Sequence, residues 1–170
     1  VLHYAKDRKQ IDAKSPDSDY FMRDIQAVAN KHYSRALSTK IIDAMVHKAH
    51  NGWFPCNKTP LGYKNQKLKD ENGRELKRGT VIVPDPDPRK VRQVQREFEL
   101  RGVYGLSFQN IRQKVIDEGF IPLGQQRKYA ISVIEYRLKN KFYAGIFRFR
   151  GIEYPGKHEL IIPDELFAAV

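Results

Sequence analysis

Basic side chains alternate with rings in one part of this chain: Arg35, Lys40 and Lys48 are followed by Trp53, Phe54, Lys58, Tyr63 and Lys64. Cations spaced this way neutralise phosphate and release its counterions. The stretch NGWFPCNKTPLGYKN, residues 51–65, contains two prolines and two glycines, so it cannot continue a helix. An extended strip is thin enough to follow a minor groove that excludes a helix. Asn51, at its start, belongs to the same candidate set. The competing reading is a solvated linker whose rings pack on a neighbouring hairpin.

A second candidate cluster lies further on. Ser132, Glu135, Tyr136 and Lys139 fall opposite Ile131, Ile134 and Leu138 at helical spacing, with Arg127 and Lys128 just before and Arg137 beside them. Donors gathered on one helix side suit base edges and phosphates; an ordinary solvated face would carry similar residues. Arg112, Gln113 and Lys114 are placed to clamp a phosphate backbone. Other chemistries find little support. His47 and His50 are one helical turn apart with no third metal ligand near them in sequence. Ser34 and Ser38 have no triad-like partner, and Cys56 is a lone thiol beside Lys58.

The whole chain fits a basic, folded protein. Lys and Arg number 31 against 20 Asp and Glu, a net charge of +11, which favours a polyanionic partner. Nucleic acid leads and an acidic membrane surface is second. No apolar run reaches the roughly 18 residues of a membrane span, and the start carries no signal-peptide pattern. One cysteine excludes an internal disulfide and a cysteine-rich zinc site, and cytoplasm is the expected compartment.

These groups need elements to hold them. Residues 1–5 read as a short strand, and Ser15-Pro16-Asp17-Ser18 offers helix-start chemistry. Tyr20 to His50 contains neither Pro nor Gly. Its apolar series Met22, Ile25, Ala29, Tyr33, Leu37, Ile41, Met45 predicts a helix of roughly 45 Å. Steps of four residues make that stripe rotate around the helix, so its two ends face different neighbours. Asn72-Gly73 predicts a hairpin over 62–68 and 76–83. Helices are expected from Asp87-Pro88 to Gly102, from Ser107 to Gly119 and from Tyr129 to Asn140, with Ile131, Ile134 and Leu138 inward. Phe147 and Phe149 alternate with Arg148 and Arg150 before a turn at Gly151, and Pro163-Asp164 starts another helix. The fold class expected is α+β and mainly helical: a long N-terminal helix, then a small domain with a β-hairpin and a helix-turn-helix-like three-helix bundle.

The order YSRALSTKI, AHNGWFPCNKTPLGYKN, an Asp-Pro helix start, LKNKFYAGIFRFRG and YPGKHELIIPDELFAAV resembles the large serine recombinases over nearly the whole chain. The resemblance implies four parts. Residues 1–19 would be the tail of a catalytic domain, 20–52 the connecting helix, 53–145 the recombinase domain, and 146–170 the lead-in to a zinc-ribbon domain whose cysteines, and any zinc, would lie beyond Val170. It implies that the first part of the helix packs subunits into dimers and tetramers, that its last part meets DNA, and that the strip from Gly52 to Tyr63 follows the minor groove. Where many members carry Glu-Arg before Ile/Leu-Ser, this chain has Tyr33-Ser34-Arg35-Ala36-Leu37-Ser38, and Arg35 takes the basic role by proximity. The family's nucleophilic serine, which links to a 5′ phosphate without metal or nucleotide, is expected before Val1, so these residues would bind a DNA attachment half-site without cleaving it and need no cofactor.

Two other readings stay open at this stage. A helix-turn-helix transcriptional regulator would require a start codon just before Val1. A basic RNA-binding or interaction module would prefer structured RNA over duplex DNA.

Overall fold

The computed structural model describes residues 2–3, 10–11, 16–69 and 74–170. They belong to two compact units, Val1–Met45 and Val46–Val170.

In the first unit β1 (Leu2–His3) pairs antiparallel with β2 (Gln10–Ile11), and the long helix α1 (Asp17–His50) begins. The rest of the expected opening strand, and Ser15, lie outside the described residues. The helix starts three residues earlier than its apolar pattern predicts. Asp17 and Asp19 occupy its first turn, and His47, Lys48 and His50 its last, each matching the sign of the helix dipole. Along its length only Ala49 is buried. Met22, Ile25, Tyr33, Leu37 and Ile41 are all exposed, so the predicted stripe exists as a surface.

The second unit opens on the last turn of α1. The Gly52 N–H donates to the Ala49 carbonyl at 2.9 Å and the Trp53 N–H to the Lys48 carbonyl at 3.1 Å, the paired bonds of a Schellman ending. Gly52 needs a φ of +79°, and a Cβ there would sit 2.9 Å from Lys157 Cγ and 3.1 Å from the Pro155 carbonyl oxygen. Gly52→Ala is therefore expected to cost about 1–2 kcal/mol, the left-handed penalty for an L residue. Thermal unfolding checks this: an unchanged Tm would show that the turn does not hold this conformation.

Residues 53–60 then run without regular structure. The hairpin of β3 (Tyr63–Lys69) and β4 (Glu75–Pro84) follows, with Tyr63 opposite Pro84 and Asn65 opposite Ile82. Its Asn72-Gly73 turn lies outside the described residues. Asp87 caps α2 (Pro88–Gly102) by accepting from the Arg89 N–H at 3.0 Å, and Ser107 caps α3 (Phe108–Asp117) by accepting from the Asn110 N–H at 3.3 Å. Both caps follow the sequence. The helix α4 (Ile131–Leu138) packs on α3 and also on α2. A 3-10 turn (Lys141–Ala144), a second hairpin of β5 (Ile146–Phe149) and β6 (Ile152–Pro155), and α5 (Asp164–Ala168) complete the unit. Arg150 and Gly151 both have positive φ, 49° and 86°, as a two-residue type I′ hairpin turn requires.

Val94, Phe98, Ile111, Val115, Ile134, Leu138, Tyr143 and Ile162 form the centre of one core. The third helix of the bundle is shorter than Tyr129–Asn140. Ile131, expected inward, is 41% exposed. It stands in the first turn of α4, two residues after the buried Tyr129. The architecture is otherwise the α+β, mainly helical one that the periodicities predict.

Candidate nucleic-acid interface

The extended strip and α4 border the same groove in the second unit. Phe54, Lys58, Thr59, Pro60 and Leu61 come from the strip, Val133, Tyr136 and Arg137 from α4, and Arg148 from β5, around a space of about 500 Å³. Phe142, Tyr143 and Phe147 also line it. Lys58, Tyr136 and Arg148 are exposed. The groove is apolar in its rings and cationic at Lys58 and Arg148, a combination suited to an anionic polymer with apolar bases.

Local chemistry fixes the strip. The Thr59 hydroxyl donates to the Tyr63 carbonyl at 2.9 Å, and the Tyr63 N–H donates to the Pro60 carbonyl at 3.2 Å. Gly62 turns with φ +85°, where a Cβ would lie 2.7 Å from Ile161 Cδ1. The Leu61 carbonyl accepts from the Tyr143 hydroxyl at 2.8 Å. Phe54 packs edge-on against Phe142 and Phe147. Pro-Leu-Gly-Tyr is thus a clamp between strip and core, and the rings pack mainly on the segment 142–147 rather than lying free.

Tyr63, expected to contact DNA, is turned into the core. It is 3% exposed, its hydroxyl accepts from the Ile161 N–H at 3.2 Å, and burial raises its pKa to about 12. The register that sets it opposite Pro84 turns the ring inward. His158 closes the same cluster, stacked on Phe142 with ring centroids 4.1 Å apart and bonded through Nε2 to the Phe142 carbonyl. Burial lowers its pKa.

Arg137 also has a different role. Its Nη1 donates to Glu97, a fully buried carboxylate that also accepts from Gln93 at 3.0 Å and from the Tyr129 hydroxyl at 2.8 Å. The Arg137 side chain is only 11% exposed, so at the edge of the groove it anchors α4 to α2 with its charge already paired. Arg112 is likewise committed: it donates to the carbonyls of Tyr129 at 2.8 Å and Gln126 at 3.0 Å, holding the loop that leads into α4.

The remaining candidates are surface groups. Lys64, Lys114, Arg127, Lys128, Ser132 and Lys139 are exposed. Lys58, Arg127 and Lys128 make no ion pair among the described residues. Lys139 bonds Glu135 at 2.7 Å. Trp53 is partly exposed with the Lys157 ammonium over its ring, and the Asn51 amide donates to the His47 carbonyl. Lys48 is half-buried. In the first unit Arg35 and Lys40 are both exposed but lie about 140° apart around the helix. Arg35 instead shares one side with Lys31, Ser34, Ser38 and Thr39. Sequence reasoning missed Lys31, which the i, i+3, i+4, i+7 spacing would have found, and Arg148, which the Phe/Arg alternation of β5 turns outward.

Among the described residues no three His, Cys, Asp or Glu side chains gather as a metal site. No described helix is long and apolar enough to cross a membrane.

The Recombinase family model matches residues 88–170, the part holding α2, α3, α4 and the second hairpin. A solved structure described as "Crystal Structure of a LSR-DNA Complex" shares the fold with a TM-score of 0.55 at 14% identity, over 76% of this chain. No curated protein sequence matches the chain. The family match covers just under half of the chain, and the likeness to the solved structure is one of fold. The chain spans 37% of the length of the solved chain it resembles.

Proposed function

We propose that this chain is the DNA-binding region of a serine site-specific recombinase and holds duplex DNA as one half of an attachment site. The observation that carries the reading is the groove shared by the extended strip and α4, with Lys58 and Arg148 bordering it. A strip without secondary structure fits a narrow groove, and a short helix beside it fits a wide one. The resemblance of the fold to a chain in an LSR-DNA complex supports the same assignment. Lys58, Lys64, Lys114, Arg127, Lys128 and Arg148 supply phosphate contacts in this reading. Strand exchange through a serine-linked phosphate is the reaction proposed for the whole protein. The exposed apolar side of α1, including Phe21, Met22 and Tyr33, favours packing between its subunits.

Binding of a 40-bp duplex to Lys58→Ala and Arg148→Ala tests the reading. Each substitution is expected to weaken binding to all sequences alike and to reduce the salt slope by about 1. A slope unchanged in both variants would remove the groove from the interface. Displacement of the duplex by structured RNA at equal concentration would favour an RNA-binding module instead.

A further inference from the structure

Base recognition in a wide groove uses a small set of chemistries: Arg or Lys for guanine, Asn or Gln for adenine, Glu or Asp for the cytosine amino group, Ser or Thr for several bases, and apolar contact for the thymine methyl. The groups that α4 offers can be sorted on this basis. Its one carboxylate, Glu135, already accepts from Lys139. Its one cationic donor, Arg137, is held by buried Glu97. Lys139, just past the helix, is bonded to Glu135. Asn140 has committed its Oδ1 to the Phe142 N–H at 3.1 Å, so it lacks the free donor–acceptor pair that matches adenine. Besides Ser132 and the Glu135–Lys139 pair, what faces outward is apolar or aromatic: Ile131 is 41% exposed, Val133 38% and Tyr136 74%, the last with a phenolic hydroxyl at its tip. Val133 and Tyr136 line the groove together with Phe54 and Leu61.

We infer that α4 selects thymine through its 5-methyl group, with Val133 and Tyr136 as the specificity-determining residues. The inference rests on the DNA-binding reading above and names the base that it recognises. Lys58 and Arg148, on the same groove, hold the flanking phosphates in this arrangement. Such a site distinguishes thymine from uracil, which has the same hydrogen-bonding edge and lacks only the methyl. Burying one methyl contributes about 0.8 kcal/mol, or about fourfold in affinity.

The test uses 40-bp duplexes selected by the full chain from a random-sequence pool, then resynthesised with deoxyuridine in place of thymidine. Affinity is expected to fall about fourfold for each methyl contacted. In Val133→Ser and Tyr136→Ser the ratio between the two duplexes should move toward one, with the salt slope unchanged. Both residues are exposed, and far-ultraviolet circular dichroism checks that the variants fold. Equal affinity for the two duplexes would overturn the inference while leaving DNA binding in place, as would a ratio that neither substitution alters. Failure to bind any duplex in 50 mM salt would overturn the DNA-binding reading itself.

Discussion

Raising salt from 50 to 200 mM is expected to weaken the chain's hold on a 40-bp duplex by about a thousandfold. Each phosphate neutralised adds about −0.9 to the slope of log affinity against log salt, so six contacts over a fourfold rise in salt give roughly three decades. Lys58, Lys64, Lys114, Arg127, Lys128 and Arg148 are six exposed cations in the second unit able to supply them. The excess of positive charge, +11 over the chain, acts in the same direction. Fluorescence anisotropy at several salt concentrations gives the slope directly. A flat response would mean that phosphate is not what these cations meet, and the proposed function would fail with it.

Glu97→Ala is expected to destabilise the second unit by about 3–5 kcal/mol, the usual cost of removing one partner from a buried ion pair. Glu97 is fully buried and its Oε1 takes three donors, from Gln93, Tyr129 and Arg137. Alanine would leave the Arg137 guanidinium without a counterion in a place largely closed to water, and would leave the Tyr129 hydroxyl and the Gln93 amide without their acceptor. Burial, with the Glu97 charge adding to it, already raises the Tyr129 pKa well above its ordinary value. Replacing both ion-pair partners, as Glu97→Met with Arg137→Met, should recover much of the loss, because no charge is then stranded. Denaturant unfolding with the midpoint and slope compared across the three proteins checks this. A loss below about 1 kcal/mol in Glu97→Ala would show that the buried arrangement does not form in solution. The same pair fixes α4, so Glu97→Ala is also expected to blur any base preference before it abolishes phosphate binding.

The elements were legible where local chemistry decides them. Asp87 before Pro88 and Ser107 before Phe108 specify two helix starts, because a short side-chain oxygen there satisfies an end N–H that nothing else reaches. Asn51-Gly52 specifies the end of α1 because only glycine takes positive φ there without strain. The alternation of Phe147 and Phe149 with Arg148 and Arg150 specifies a strand with a wet side. The irregular strip was legible for the same reason, since Pro55 and Pro60 interrupt any helical ladder.

By itself the sequence determined the helices, hairpins and strip, the basic character of the surface and the family resemblance, all of which follow from neighbours a few residues apart. Only the tertiary structure decided which polar and aromatic groups remain available to a ligand. Tyr63 looks like a ring beside Lys64 until Ile161, 98 residues on, donates its N–H to the hydroxyl. Arg137 looks like a free donor on a helix until Glu97, 40 residues earlier, closes on it. Both outcomes depend on partners distant in sequence, and burial removes a side chain from solvent through contacts that spacing along one element does not encode.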